Sequence, residues 1–509
     1  MNLRLLQFLS CCVLCVYGWT DNRIRKFKND FSFGVSTSAY QVEGAWDVDG
    51  KGESIWDRFL HEHPEVIADG RNGDVACDSY HQYQRDVEML RELGVDHYRF
   101  SISWPRILPT GYPNVINEKG IQYYDNLINE LLKYGIQPMV TLYHYDLPQA
   151  LQDLGGWINP LSAEWFEDFA RVVFDKYGDR VKYWITINQP SGVCVDGYSG
   201  LIAPGVVSKG VGDYICVKNV MLAHARAYRL YEKEYKNKYK GQVGISLGLS
   251  WAHGVTNATE NEDAAAIYRD FTIGLYMDPI WSEAGGFPRS VRDRVAKKSK
   301  EQGYKESRLP TLSPEEIKLI KGSADFLGLN HYTSFLVEPA DQQFDSPSVD
   351  DDMGVKISHN KNWRSSNSVW LKSAPYGIYR LCLYLNKVYN YPQVFITEHG
   401  WSTTTGLNDQ SRVTTLRDYL SAILFAIEDG TDLRGYTVWS LMDNVEWIAG
   451  TSDRFGLYEV DFDSEEKKRT ARLSALVYKR IIEKRIVENE WEPENWQIEI
   501  TKGKEREEL

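Results

Sequence analysis

His97-Tyr-Arg-Phe-Ser-Ile-Ser-Trp104 decides the fold, because the unit that it closes recurs along the chain. A helical pattern carried by Tyr83, Val87, Leu90 and Leu93 stops at Gly94, and this β-rich run follows. The next pattern, Ile121, Tyr124, Ile128 and Leu131, stops at Gly135 before Met139-Val-Thr-Leu-Tyr143. A third, Phe166, Phe169 and Val173, reaches Gly178 before Tyr183-Trp-Ile-Thr-Ile187. The three glycines fall about 40 residues apart, a spacing suited to successive βα units and too regular for a sandwich. Parallel strands covered by helices are the consequence.

Five further apolar runs, Phe31 to Val35, Val243 to Leu249, Asp325 to Asn330, Val394 to Thr397 and Tyr436 to Leu441, complete a set of eight. Eight strands close a barrel, so the expected fold is α/β, a single (β/α)8 TIM barrel with elaborated βα loops. A barrel with insertions accommodates a chain of 509 residues as one unit. The expected division is a signal peptide over 1–19 and one catalytic domain over 20–509 with a short charged tail. The polar stretch from Glu338 to Asn367 reads as an elaborated loop.

The chain is 43% hydrophobic, which excludes disorder, and carries a net charge of −13 without a basic stripe, so no nucleic-acid partner is expected. The apolar run from Leu5 to Tyr17 after Arg4 reads as a secretory signal, too short to span a membrane. The expected location is therefore the secretory lumen or outside the cell. Cys77, Cys194, Cys216 and Cys382 remain in the mature chain without metal-ligand spacing, and one disulfide is possible, with Cys194 and Cys216 a candidate pair. Asn257-Ala-Thr259 is a glycan acceptor signal. Arg506-Glu-Glu-Leu509 resembles an endoplasmic-reticulum retrieval signal, with a frayed charged tail as the alternative.

Catalytic residues of such a barrel belong at the carboxyl ends of its strands. Those ends carry Gln41 and Glu43, Arg106, His144 and Asp146, Asn188 and Gln189, Asn330 with His331 and Tyr332, Glu398 and His399, then Asp443, Asn444, Glu446 and Trp447, while Arg99 sits within the second strand. Hydrogen-bonding side chains beside Trp104, Trp439 and Trp447 suit a neutral sugar, which offers hydroxyls at its edge and C–H groups on its faces. There is no Gly-rich phosphate loop, no His-Glu-x-x-His and no Gly-x-Ser-x-Gly elbow, so neither a metal nor an acyl-transfer mechanism is expected.

From about Phe31 to Glu483 the chain resembles the family-1 glycoside hydrolases, the retaining β-glucosidase group. The resemblance rests on Phe31-Ser-Phe-Gly-Val-Ser-Thr-Ser-Ala-Tyr-Gln-Val-Glu-Gly44, Tyr98-Arg-Phe-Ser-Ile-Ser-Trp-Pro-Arg106, Asp325-Phe-Leu-Gly-Leu-Asn-His-Tyr332 and Trp439-Ser-Leu-Met-Asp-Asn-Val-Glu-Trp447. It implies Gln41, His144, Asn188, Asn330, Trp439, Glu446 and Trp447 as substrate-binding residues and Glu398 as nucleophile. Arg99 and Tyr332 would keep the Glu398 carboxylate ionised and oriented.

Retaining hydrolysis uses two carboxyl groups about 5 Å apart, and this chain offers one. Where the family's β-glucosidases have Asn-Glu-Pro, this sequence reads Asn188-Gln-Pro190. Gln189 has no proton to give in the useful range, so it can act neither as general acid nor as base. His399 stands in place of the usual Asn beside the nucleophile, and Tyr145 in place of a Trp. Plant thioglucosidases, the myrosinases, resemble this chain in having Asn-Gln, and their aglycone leaves as a stable thiolate. The resemblance implies a glucosinolate-type thioglucoside substrate with no required cofactor, ascorbate being a possible external base. Those enzymes place a sulfate-binding Arg where this chain has Asp196, leaving Arg71 and Lys209 as substitutes for that role. Two other readings stand beside this one: an O-β-glucosidase with His399 or a water chain as substitute acid, and a barrel that binds a glucoside without cleaving it.

Overall fold

The computed structural model describes residues 25–340, 346–390 and 392–500. The expected signal peptide and the C-terminal tetrapeptide lie outside them. The eight strands are β1 (Ser32–Ser36), β2 (His97–Ser101), β3 (Gln137–Tyr143), β4 (Tyr183–Asn188), β5 (Gln242–Gly248), β6 (Phe326–Asn330), β7 (Val394–His399) and β8 (Leu433–Trp439). They form a closed, all-parallel barrel in sequential order, and β1 seals the seam by pairing with β2 (Gly34 opposite His97) and β8 (Ser36 opposite Trp439). Nearly every strand residue is buried, as expected where one face looks into the barrel and the other is covered by helices.

The helices that cover it include α1 (Ser79–Leu93), α2 (Glu118–Lys133), α3 (Ser162–Tyr177), α4 (Gly212–Leu230), α5 (Pro375–Val388), α6 (Gln410–Glu428) and α7 (Leu473–Lys484). Gly94 ends α1 in the left-handed region, at φ 74°, as its position predicts. Gly178 does not repeat this: it stays right-handed at φ −64°, and a Cβ there would stand 2.5 Å from the Tyr239 ring. Close packing, not a reversal of the chain, explains that glycine.

Three boundaries differ from the sequence reading. β2 ends at Ser101 and a single helical turn, Trp104–Ile107, takes over, because Pro105 lacks the N–H that a continuing ladder would need. β8 begins at Leu433 and ends at Trp439, which a cis peptide joins to Ser440. The stretch expected as a loop from Glu338 is partly ordered: Ser334–Pro339 pairs antiparallel with Val355–Ser358 and parallel with Trp251–Gly254, a small sheet outside the barrel.

Inside the barrel the chemistry changes from one end to the other. Met139, Ile185, Phe326 and Phe395, with Tyr183 against them, fill the end where the strands begin. Beyond them, Asn330 Oδ1 accepts from Thr397 Oγ1 at 2.7 Å and from Ser246 Oγ at 3.1 Å. This polar layer supports the face at which the strands end. Cys194 and Cys216, 22 residues apart, form a disulfide that ties the turn after β4 to α4. Asn257 is exposed on the loop before the helix Thr259–Arg269. Among the described residues no helix is long and apolar enough to cross a membrane.

Candidate active site

Strand β7 slips in register against β6: Ile396 faces Leu329, yet Glu398 faces Asn330. Two residues thus advance against one, which breaks the in–out alternation and lets both Thr397 and Glu398 point inward. Thr397 joins the polar layer, while Glu398 enters the site above it. A similar slip in β4, where Ile185 pairs with Gly244 and Asn188 with Ser246, brings Asn188 inward.

Glu398 is 3% exposed and its two oxygens are held separately. Arg99 Nη1 donates to Oε1 at 2.5 Å and Tyr332 Oη donates to Oε2 at 2.8 Å. The rest of the Arg99 guanidinium reaches Thr397 O, Thr141 Oγ1 and, through Nη2, Asn188 Oδ1 at 2.7 Å. With Nε, Nη1 and Nη2 each engaged, the buried guanidinium is a fixed positive partner that orients the Glu398 carboxylate. Burial and the charge of Glu398 push the Tyr332 phenol well above its ordinary value, so it remains a donor.

Asn188 links this pair to the expected sugar clamp. Its Oδ1 also accepts from Asn330 Nδ2 at 2.9 Å, and its Nδ2 lies 3.2 Å from His144 Nε2. Burial and Arg99 hold His144 neutral, far below its ordinary pKa. With Nε2 facing a donor, the ring proton belongs on Nδ1, which is buried with no partner among the described residues. The imidazole lies nearly parallel to Trp439 at 5.7 Å and to Trp447 at 6.1 Å. Gln41 Nε2 bonds Asn444 Oδ1 and Val445 O at 3.0 Å each and approaches Glu446 Oε2 at 3.4 Å. Burial, with Asp453 and Glu398 nearby, pushes the Glu446 carboxyl up to about 8. All seven expected binding residues therefore gather with Glu398, Arg99 and Tyr332 at one end of the barrel.

Gln189 follows Asn188 directly, with φ 42° and its backbone N–H on Ser246 O at 2.7 Å. Its side-chain carbonyl lies 3.5 Å from Asn188 Nδ2, and its amide nitrogen rests against Gly248.

Several residues read as part of the polar ring belong elsewhere. Trp104 is fully buried, stacked on Phe169 at 4.7 Å with Nε1 on Gly111 O, and is a core residue because the chain turns into a helix there. Arg106 binds Glu43 at 2.8 Å, and Arg472 grips Asp443 through two bonds of 2.6 and 2.8 Å. These are buried structural pairs. His399 turns outward, with Nδ1 2.6 Å from Tyr436 Oη and its ring 4.1 Å from Tyr419, and burial lowers its pKa to about 3. It neither faces the site nor holds a proton to supply as a substitute acid. Arg71 is paired with Asp463 at 2.7 Å.

Trp56, on the helix Ile55–Glu62, was not legible as a site residue. It is buried beneath Trp447 with ring centres 4.6 Å apart, far from any strand end in sequence. Asp453 accepts from Asn367 Nδ2 and Ser368 Oγ at 2.6 Å each and raises the Glu446 pKa through its charge, and no motif marks it.

The description Glycosyl hydrolase family 1 matches residues 23–487. Myrosinase 1 of Brevicoryne brassicae is 44% identical over 461 residues, covering 90% of this chain and 98% of that protein. Human cytosolic beta-glucosidase is 39% identical over 461 residues, with 90% and 98% covered. Among solved structures, an aphid myrosinase superposes with a TM-score of 0.87 at 44% identity, covering 90% of this chain and 99% of that one. A glutamate-to-glutamine mutant of a rice β-glucosidase, in covalent complex with Glc, superposes with a TM-score of 0.85 at 38% identity, covering 90% and 99%. With the eight-stranded barrel and the buried carboxylate at its carboxyl-terminal face, these relationships establish that the chain belongs to glycosyl hydrolase family 1 and is a retaining β-glycosidase of small-molecule glycosides.

Proposed function

We propose that the protein is a myrosinase-like thioglucoside glucohydrolase. In this reading a Glu398 oxygen attacks the anomeric carbon, the C–S bond breaks, and the aglycone leaves with the electron pair as a thiolate that needs no proton. Water then cleaves the glucosyl ester, oriented by Gln189, and its proton passes to solvent or to an external base, for which ascorbate is the candidate. The carrying observation is the contrast between two positions: Glu398 is fully cradled by Arg99 and Tyr332, while position 189 holds an amide. An intact nucleophile without an acid suits a leaving group that departs unaided. The covalent complex of Glc with a glutamate-to-glutamine mutant of the rice relative supports the compatibility of such a change with a glucosyl-enzyme.

The O-β-glucosidase reading has support from the β-glucosidase relatives, but His399, its candidate acid, is neutral and faces Tyr436. The non-catalytic reading gives no role to a carboxylate whose two oxygens Arg99 and Tyr332 hold separately beside the clamp. The disulfide supports an oxidising compartment for the mature chain, a single domain following a cleaved signal, with Asn257 glycosylated.

The test is glucose release from a glucosinolate, with and without ascorbate, beside an alkyl β-glucoside. The expected result is thioglucoside turnover that ascorbate accelerates, with the alkyl glucoside about 10²- to 10⁴-fold slower. Glucose binding without thioglucoside cleavage overturns the reading.

A further inference from the structure

Tyr145 stands between two side chains that point apart. His144 faces Trp439, while Asp146 lies buried in a separate cavity beside Glu43 and Arg106. The tyrosine backbone has φ 76°, in the left-handed region that a bulky residue seldom adopts. That conformation aims the ring over the clamp, 5.3 Å from His144 and 5.1 Å from Trp447. Strained backbone of this kind persists where the surrounding structure fixes it, and it clusters at functional sites.

The hydroxyl ends in a notch over Gly192, where a Cβ would stand 2.2 Å from Tyr145 Oη. Gly192 opens the turn Gly192–Asp196 and follows Gln189 by three residues, so the hydroxyl lies beside the segment that presents position 189. The side chain is half-buried, and no described residue accepts from its O–H or donates to it. Burial, Asp196 and Glu398 together push the phenol well above its ordinary pKa, which keeps the proton in place.

In a retaining site the scissile bond lies between the nucleophile and the segment that normally brings the acid. The Tyr145 hydroxyl is a donor placed beside that segment without a protein acceptor. We propose that Tyr145 is a catalytic residue whose O–H donates a hydrogen bond to the heteroatom of the leaving aglycone. The proton stays on the phenol throughout: Glu398 forms its bond to the anomeric carbon, the aglycone departs with the electron pair, and the phenol O–H shares the negative charge that develops. The anion takes its proton from water after release. This deepens the proposed function and rests on its premise that no side chain protonates the leaving group.

The premise and the proposal separate in one experiment. The kcat/KM values of wild type and Tyr145→Phe are measured on aryl β-glucosides with 2,4-dinitrophenol, 4-nitrophenol and phenol as leaving groups. A steep fall with leaving-group pKa in the wild type supports the absence of an acid, and a flat series refutes that premise. For Tyr145, the expected result is a steeper slope in the variant: a loss of about 10- to 100-fold on the phenyl glucoside and under about threefold on the dinitrophenyl glucoside. A uniform loss across the series, or a change in KM alone, overturns the proposal whichever slope the wild type shows. Gly192→Ala, which drives the hydroxyl out of its notch while retaining it, should steepen the slope likewise. An unchanged slope in a folded Gly192→Ala protein counts against the proposal.

Discussion

The side-chain amide of Gln189 lies directly on Gly248, so closely that a Cβ at 248 would stand 2.2 Å from Nε2. The glycine at the end of β5 therefore leaves room for the side chain that hangs from the end of β4. A glutamate has nearly the same shape as glutamine, so Gln189→Glu should occupy the same place without moving the backbone. It would restore a second carboxyl to a site whose other parts are already assembled. The expected outcome is a gain of about 10²- to 10³-fold in kcat/KM on an alkyl β-glucoside, with little gain on a thioglucoside whose thiolate leaves unaided. Steady-state kinetics on both substrates check this, and an equal gain on both would show that thioglucoside departure also needs a proton.

Tyr332 and Arg99 hold different oxygens of Glu398, so their removal should have separable effects. Tyr332→Phe deletes one hydrogen bond to a charged acceptor, a contribution of about 1.5–3 kcal/mol, and leaves the counter-charge in place. We expect kcat/KM to fall by roughly 10- to 100-fold on every substrate, independent of leaving group, because the loss falls on the nucleophile's carboxylate and not on the aglycone. That uniformity is the opposite of the pattern expected for Tyr145→Phe, and the two variants serve as controls for each other.

The eight strands were legible because parallel strands buried on both faces read as unbroken apolar runs, and Gly94 announced itself as a helix stop. Glu398, Arg99 and Tyr332 were legible because they lie at or within those runs. The errors have a common cause. Trp104 and Arg106 looked like rim residues because the turn at Pro105 folds them back into the wall. His399 looked like a candidate acid because sequence adjacency to Glu398 hides which way a bulged strand throws its last side chain. Trp56 and Asp453 reach the clamp from other segments, a proximity that only the folded chain creates.

Asp196 is exposed at the end of the turn Gly192–Asp196 that follows Gln189. Partial desolvation of the carboxyl by the surrounding chain and the neighbouring Asp350 raise its pKa to about 6. Below that pH it is neutral; above it the rim gains a negative charge. The KM for a sulfated thioglucoside should therefore rise as pH increases through 6, by roughly fivefold for a repulsion of about 1 kcal/mol. The KM for an uncharged aryl glucoside should stay flat across the same range. Asp196→Asn should remove the pH dependence for the sulfated substrate and hold its KM at the low-pH value. A persistent rise in that variant would assign the repulsion to another group.

Glu446 offers a test that does not depend on turnover. Its carboxyl is raised from 4.5 to about 8 by burial, Asp453 and Glu398, so the folded protein retains a proton that the unfolded chain releases at lower pH. Below about pH 4.5 both states are protonated and there is no penalty. As pH rises from there to 8, the unfolded state binds fewer protons than the folded one, and stability falls until the folded carboxyl also ionises. Glu446→Gln replaces the neutral acid with an uncharged group of the same shape and abolishes this dependence. Thermal unfolding of the two proteins should coincide near pH 4.5 and diverge progressively toward pH 8, the variant being the more stable at the alkaline end even as its affinity for glucose drops. Parallel curves across the range would mean that Glu446 is ionised in the folded protein, held there by Gln41 and by solvent in the open cleft.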